Sequence, residues 1–261
     1  MPQLLAKYNT GALAWAEIAD AILDPSDSFY VAQDFIDAGA VTVTSNAAVA
    51  GPLYTVSSVN ASTNVGAFAL NSAHGGTGTI TTNASTTAND NVAVASNADF
   101  LTVAAGRRGY FEARVSGVSV STGFAVGLTS ATPGTSVFSS SAIAVPADSV
   151  MIGRDAGTDS LTGAVANRTF QLCVRGSNGA MTETILVVPA TISTSAFYTF
   201  GFLIGGTEVQ AYINGIKVGA VARYDNSSGT PGAMGWMAAA NAPATTQASL
   251  AIDYVVVSGT R

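Results

Sequence analysis

Apolar and polar residues alternate in short runs along most of this chain, and the clearest instance is Phe197 to Gly219, FYTFGFLIGGTEVQAYINGIKVG. Two tight-turn signals, Gly205-Gly206 and Asn214-Gly215, divide it into three alternating runs, which predicts a β-meander. Asn-Gly between apolar runs favours a type I′ hairpin turn, because both central residues need positive φ and Asn and Gly adopt it at least cost. Similar short runs, β-branched or aromatic-rich and bounded by Gly, Asn or Ser, occur at Val41 to Thr44, Leu53 to Val59, Val65 to Leu70, Thr77 to Thr82, Val92 to Val94, Tyr110 to Val115 and Phe124 to Leu128. The series continues at Val150 to Gly153, Thr169 to Val174, Thr184 to Val188, Ala233 to Ala238 and Ser249 to Val257. Many short strands at near-regular spacing predict an all-β antiparallel sandwich or barrel. The helical crossovers that a parallel sheet requires are absent. Asn71 to Asn91 and Ala131 to Ser141 read as long loops or sheet edges, and Ala238 to Ala244 reads as a loop because it contains Pro243.

One segment breaks this pattern. From Thr10 to Leu23, Trp15, Ile18, Ala19 and Ile22 recur at the spacing of one helical face. Thr10 or Asn9 can cap the start, and Asp24-Pro25 ends it, since the residue before proline disfavours the α conformation. So short a helix is marginal alone and must pack on its own body or on a neighbouring subunit. Residues 1 to 37 carry six acids, Glu17, Asp20, Asp24, Asp27, Asp34 and Asp37, against Lys7, a net of −5, while the remainder holds ten acids and nine bases. The chain therefore divides into an acidic N-terminal arm, 1–37, with one short helix, and a nearly neutral β-sandwich domain, 38–261.

Only 10% of the residues are charged, so small neutral side chains must cover most of the surface, which suits close packing against other subunits. Phosphate recognition needs clustered Lys and Arg. Arg107-Arg108 is the only adjacent basic pair, and a nucleic-acid role is rejected. The acidic arm can dock on a basic partner surface or simply be solvated. The N-terminus does not read as a secretory signal, and no apolar run approaches the roughly 20 residues needed to cross a bilayer as a helix. The one cysteine, Cys173 in TFQLCVRG, cannot form an internal disulfide and reads as a small buried hydrophobe. Four sequons, beginning at Asn60, Asn83, Asn167 and Asn226, are incidental without a secretory route.

Candidate chemistry is sparse. His74, the only histidine, lies in NSAHGGTG, where HGG suggests an esterase oxyanion loop, but no G-x-S-x-G nucleophile elbow accompanies it. Retaining glycosidases of jelly-roll shape place two carboxylates about 5 to 5.5 Å apart, so a strand should carry them at i and i+2 or i+4. Glu112, Glu183, Glu208 and Asp253 are instead each alone in their runs and read as solvent-face or turn-anchoring groups. An acid and base on different strands stay open. Asp155 and Asp159 flank a glycine but lack the run of ligands of a calcium loop, and Gly75-Gly76-Thr77-Gly78 lacks the Lys-Ser/Thr of a P-loop. No catalytic residue, cofactor site or metal site is assigned. Of the aromatics Tyr198, Tyr212, Tyr224, Trp236 and Tyr254, most fall on predicted strands, and Tyr224 in the loop ARYDNSSG is the candidate glycan contact.

Three segments together resemble the concanavalin-A-like, laminin-G-like sandwiches of tailed-bacteriophage structural proteins. They are GRRGYFEARVSGVSVSTGFAVGL (106–128), FYTFGFLIGGTEVQAYINGIKVGAV (197–221) and SLAIDYVVVSGTR (249–261), with a looser likeness over 51–261. The resemblance implies a jelly-roll sandwich and a non-enzymatic virion protein made in the host cytoplasm, a capsid decoration or cement protein on the capsid surface. Its partners would be the major capsid protein or other virion subunits, and it would form a dimer or trimer. In this reading the arm, through Trp15, Ile18, Ile22, Asp24 and Asp27, anchors the protein or links it to neighbours. The alternatives are a glycan-binding module of a tail or fibre and a polysaccharide-active enzyme.

Overall fold

The computed structural model describes residues 28–35, 40–43, 47–59, 66–71, 76–82, 90–104, 107–118, 122–156, 167–225, 229–242 and 247–260. In chain order the strands are β1 (Ser28–Asp34), β2 (Val41–Val43), β3 (Ala48–Ala50), β4 (Tyr54–Val59), β5 (Gly66–Asn71), β6 (Thr77–Thr81), β7 (Asp90–Ser96), β8 (Leu101–Thr102), β9 (Arg108–Ser116) and β10 (Gly123–Thr129). They continue as β11 (Phe138–Ser139), β12 (Ala142–Ile143), β13 (Ser149–Arg154), β14 (Thr169–Arg175), β15 (Thr182–Val187), β16 (Tyr198–Gly205), β17 (Glu208–Ile213), β18 (Ile216–Arg223), β19 (Ala233–Ala242) and β20 (Ser249–Thr260). Every pairing between them is antiparallel.

Two large sheets result. The first has the order β18-β17-β16-β9-β20-β6-β5-β2, with β1 also on β20; the second has the order β15-β14-β13-β10-β19-β7-β4-β3, with β8 also on β19. Alternation along each strand sends one set of side chains between the sheets. Phe111, Ala113 and Val115 of β9, Phe200, Phe202 and Ile204 of β16, Phe124, Val126 and Leu128 of β10, and Trp236, Ala238 and Ala240 of β19 all lie in this core. Phe111 stacks on Phe202 with ring centroids 4.9 Å apart, and Phe170 meets Phe200 edge-on at the same separation. The expected antiparallel sandwich is present.

The meander is also as the turn chemistry requires. Asn214 and Gly215 both have positive φ, 52° and 76°, between β17 and β18, which is the backbone demanded by a type I′ turn. The preceding turn centres on Gly206, φ 65°.

Two expectations change, and a third falls outside the described residues. Residues 28–34 belong to the sandwich and not to the arm, because Phe29, Val31 and Gln33 alternate with Tyr30, Ala32 and Asp34 along a strand that pairs with the whole second half of β20. Phe35, at its end, is fully buried against Tyr54, Phe68 and Trp236. The expected helix and its residues Trp15, Ile18, Ile22, Asp24 and Asp27 lie outside the described residues. Ala238 to Ala242 is strand, not loop: the alanines line both faces of β19, where small side chains admit close neighbours.

The connection from β10 to β13 is a covering layer rather than a free loop. Its Val137, Phe138, Ile143 and Val145 pack on Ala93, Ala95, Ala125, Met151, Cys173, Met237 and Ala239, the outward side chains of the second sheet. Asp155 ties it down, its Oδ1 accepting from the Ile143 amide at 2.7 Å and from Gln171 Nε2 at 2.8 Å. Asn241 Nδ2 donates to the Ser140 carbonyl at 2.9 Å. Cys173 is fully buried beneath this layer, as expected of a small hydrophobe.

Replacing Gly215 by Val should lower stability by about 1–2 kcal/mol, the cost of a left-handed backbone for a residue with a Cβ. Urea denaturation measures it, and an unchanged midpoint would contradict the turn assignment.

Candidate functional site

The outer face of the first sheet is the place where this chain gathers polar and aromatic side chains. The register builds it in rows across the strands. Tyr30, Ser258, Tyr110, Leu203 and Gln210 form one row, through β1, β20, β9, β16 and β17. Ala32, Val256, Glu112, Gly201, Tyr212 and Lys217 form the next, and Asp34, Tyr254, Arg114 and Thr199 the one after.

Glu112 sits at the centre and is 2% exposed. The Tyr254 hydroxyl donates to its Oε1 at 2.7 Å, and the Tyr110 hydroxyl donates to its Oε2. Gly201 faces Glu112 on β16, where a Cβ would lie 3.1 Å from the Phe111 carbonyl oxygen and in ordinary contact, 3.5 Å, with the Tyr110 hydroxyl. Burial raises the Glu112 pKa above the ordinary glutamate value, and the two tyrosine hydroxyls partly oppose the shift. Burial, followed by the Glu112 charge, raises both tyrosines far above the usual phenol range. Glu112 is therefore not the solvent-face group the sequence suggested: it is buried and each of its oxygens accepts a tyrosine hydroxyl.

Beside this buried triad the face opens to solvent. Arg114 Nη1 pairs with Asp253 Oδ2, the two side chains being 40% and 20% exposed. Asp253 reaches Arg114 because the β9–β20 register slips between Ile252 and Tyr254. The Arg114 guanidinium also lies 4.3 Å from the centroid of the Phe197 ring. Phe197, Thr199 and Tyr212 are partly exposed around it, and Lys217 is exposed. An exposed arginine, a carboxylate and flanking rings can hydrogen-bond and stack, which is binding chemistry more than bond-breaking chemistry.

The other sequence-derived candidates scatter. Tyr224 is 1% exposed and its hydroxyl donates to Asp148 Oδ1. Its ring belongs to the core, so the expected glycan contact at Tyr224 is corrected: the loop turns it inward to satisfy a buried carboxylate. Trp236 and Tyr198 also face the core. His74 and Asp159 lie outside the described residues, and Asp155 anchors the covering layer. Among the described residues no cluster of three or more His, Cys, Asp or Glu is placed to hold a metal ion, and no helix is long and apolar enough to cross a membrane. The Tyr110-x-Glu112-x-Arg114 alternation was the available signal for the outer face, but its partners Tyr254 and Asp253 come from 139 or more residues away.

Replacing Glu112 by Ala removes the acceptor of two buried hydroxyls and should cost about 1–3 kcal/mol for each donor left unpaired. Glu112→Gln should cost less. Because the folded pKa of Glu112 is raised, the unfolded chain releases its proton first as pH rises from about 4.5. Wild-type stability should then fall through the window up to the folded pKa, whereas E112Q should lack that decrement. Parallel denaturation series across pH measure this, and identical pH profiles would refute the assignment.

No protein-family model and no curated protein matches the chain. Its likeness is to solved structures. The endo-1,3-β-glucanase of Streptomyces sioyaensis aligns with a TM-score of 0.54 at 13% identity, over 90% of this chain and 97% of that one. Peanut lectin aligns with a TM-score of 0.52 at 10% identity, over 90% and 98%. The exoplasmic/lumenal domain of VIP36, in a form bound to Ca2+ and mannose, aligns with a TM-score of 0.52 at 11% identity, over 80% and 83%. At these identities the likeness is one of fold alone: this chain is a two-sheet antiparallel β-sandwich with a lectin-like fold.

Proposed function

We propose that this chain is a non-catalytic binding protein and, more specifically, a phage virion subunit of the capsid decoration or cement type. The observation that supports the non-catalytic part is the engagement of four carboxylates of the sandwich, while both oxygens of the buried Asp90 lack a hydrogen-bond partner. Glu112 is capped by two tyrosine hydroxyls, Asp253 by Arg114, Asp155 by an amide and Gln171, and Asp148 by Tyr224. A glycosidase needs one carboxyl free to donate a proton and a second free to attack or to activate water. The virion part is supported by the three sequence segments that resemble phage structural proteins and by the nearly neutral, small-residue composition of the sandwich. Its partner would be the major capsid protein or another virion subunit, with the arm as anchor.

Because β1 belongs to the sandwich, the arm must be cut at residue 27. Deletion of residues 1–27 is expected to leave a folded protein that no longer occupies the particle, measured by co-sedimentation with capsids. Unchanged occupancy would end the anchoring model. Deletion of 1–37 also removes Phe35, whose loss from the core alone is worth about 3–5 kcal/mol, and should destabilise the sandwich.

The second reading is a glycan-binding module, favoured by the partly exposed Arg114, Asp253, Phe197 and Tyr212 on the outer face of the first sheet. It predicts glycan-array binding that Arg114→Ala and Tyr212→Ala each reduce while Tyr224→Ala acts only through stability. An array without any binding would remove this reading.

A further inference from the structure

Hydrogen-bonding groups around Arg114 are sorted by kind: most acceptors are engaged within the protein, and the donors are left facing solvent. Both oxygens of Glu112 accept tyrosine hydroxyls. The Thr199 hydroxyl is bonded to the Tyr254 oxygen. Asn214, in the turn between β17 and β18, accepts the Thr199 amide through its Oδ1 at 2.8 Å and donates its own amide to the Thr199 carbonyl at 2.7 Å. The residue is exposed, so the acceptor end of its carboxamide is engaged on β16 while the two N–H groups of Nδ2 remain for a ligand.

Three donors therefore surround this end of the face. Arg114 uses Nη1 on Asp253 and keeps Nε and Nη2, with its guanidinium over the Phe197 ring. Lys217 is exposed and has three ammonium N–H groups and no acceptor. Arg114, Thr199 and Asn214 lie in one row, which sets Arg114 and Asn214 two strand spacings apart, about 10 Å. Lys217 stands one strand and one row further, beside Tyr212. Of the two carboxylates here, Glu112 is buried and Asp253 reaches solvent, against two cations. In a chain with a net charge of −6 this is a local reversal of sign.

A ligand that satisfies such a set must bring acceptors and negative charge. The open Nε–Nη2 edge of an arginine matches a carboxylate or a sulfate with two parallel hydrogen bonds. The partly exposed Phe197 and Tyr212 rings offer stacking surfaces, which favours a sugar over an acidic peptide. We propose that this end of the outer face of the first sheet is selective for acidic glycans. The acid group is held between Arg114 and Asn214, and Lys217 supplies the second cation. Asp253 orients the guanidinium and leaves its other edge to the ligand. This rests on the glycan-binding reading and names the ligand class for it.

The test is a glycan array probed with the full chain, on which sialylated, uronate-containing and sulfated oligosaccharides are each paired with the same backbone lacking the acid group. Binding to the acidic member is expected to be stronger by about tenfold or more, and the acidic members that bind separate carboxylate from sulfate. Asn214→Asp keeps an oxygen for the Thr199 amide and tolerates the positive φ, yet replaces the outward donors by a carboxylate oxygen. It should keep the wild-type melting temperature and lose about tenfold in affinity for the acidic member, a loss that a site for neutral sugars would not show. Lys217→Glu, at an exposed position, should act in the same direction. Equal binding to both members of every pair, or acid binding that neither variant weakens, would overturn the proposal and leave the glycan reading in place. Poly-glutamate bound as tightly as the acidic glycans would overturn it in favour of an acidic protein surface. An array without any binding would remove the glycan reading and this proposal with it.

Discussion

The antiparallel register between β9 and β20 is the constraint on which the rest of the first sheet depends. It joins residues 108–116 to the last strand of the chain. On one side of that pairing it sends Phe111, Ala113 and Val115 into the core beside Ile252, Val255 and Val257. On the other it brings Tyr254 to Glu112 and, through the slip at Asp253, a carboxylate to Arg114. A one-residue shift would exchange the two sets, burying charge between the sheets and turning apolar side chains to solvent. The buried Glu112 is tolerable only because both oxygens are satisfied, since an unpaired carboxylate at that depth would be strongly unfavourable.

The outer faces of the two sheets are made differently. The second sheet uses alanine, methionine and cysteine on its outer face and receives Val137, Phe138, Ile143 and Val145 from a single connection. Small side chains there permit close approach, and Asp155 and Asn241 satisfy the polar groups of the incoming backbone. The first sheet carries tyrosines, Arg114 and Asp253 on its outer face, larger and more polar groups that suit a reversible contact. The asymmetry separates a face sealed by the chain's own connection from one that presents polar side chains.

The strand content was legible because its signals are local. Asn214-Gly215 predicts positive φ from two residues alone, and both residues have it. The short runs that became β4, β10, β14 and β16 announce themselves by alternation. Residues 28–34 were hidden by their company: three of the four acids nearest them belong to the arm, so net charge drew the boundary at 37 where strand pairing places it before Ser28. Pro243 likewise suggested a loop over alanines that central position and packing hold in β19.

The amino-acid sequence by itself determined the all-β class, the meander and its turns, and the burial of Cys173, because backbone preference and period-two alternation act between near neighbours. Only the tertiary structure decided which side chains share a face across strands. Tyr254 meets Glu112 across a separation of 142 residues, and Tyr224 turns inward to Asp148 across 76. Such partnerships follow from strand order and register, which are set by the packing of the whole sandwich and leave no periodic trace in either segment.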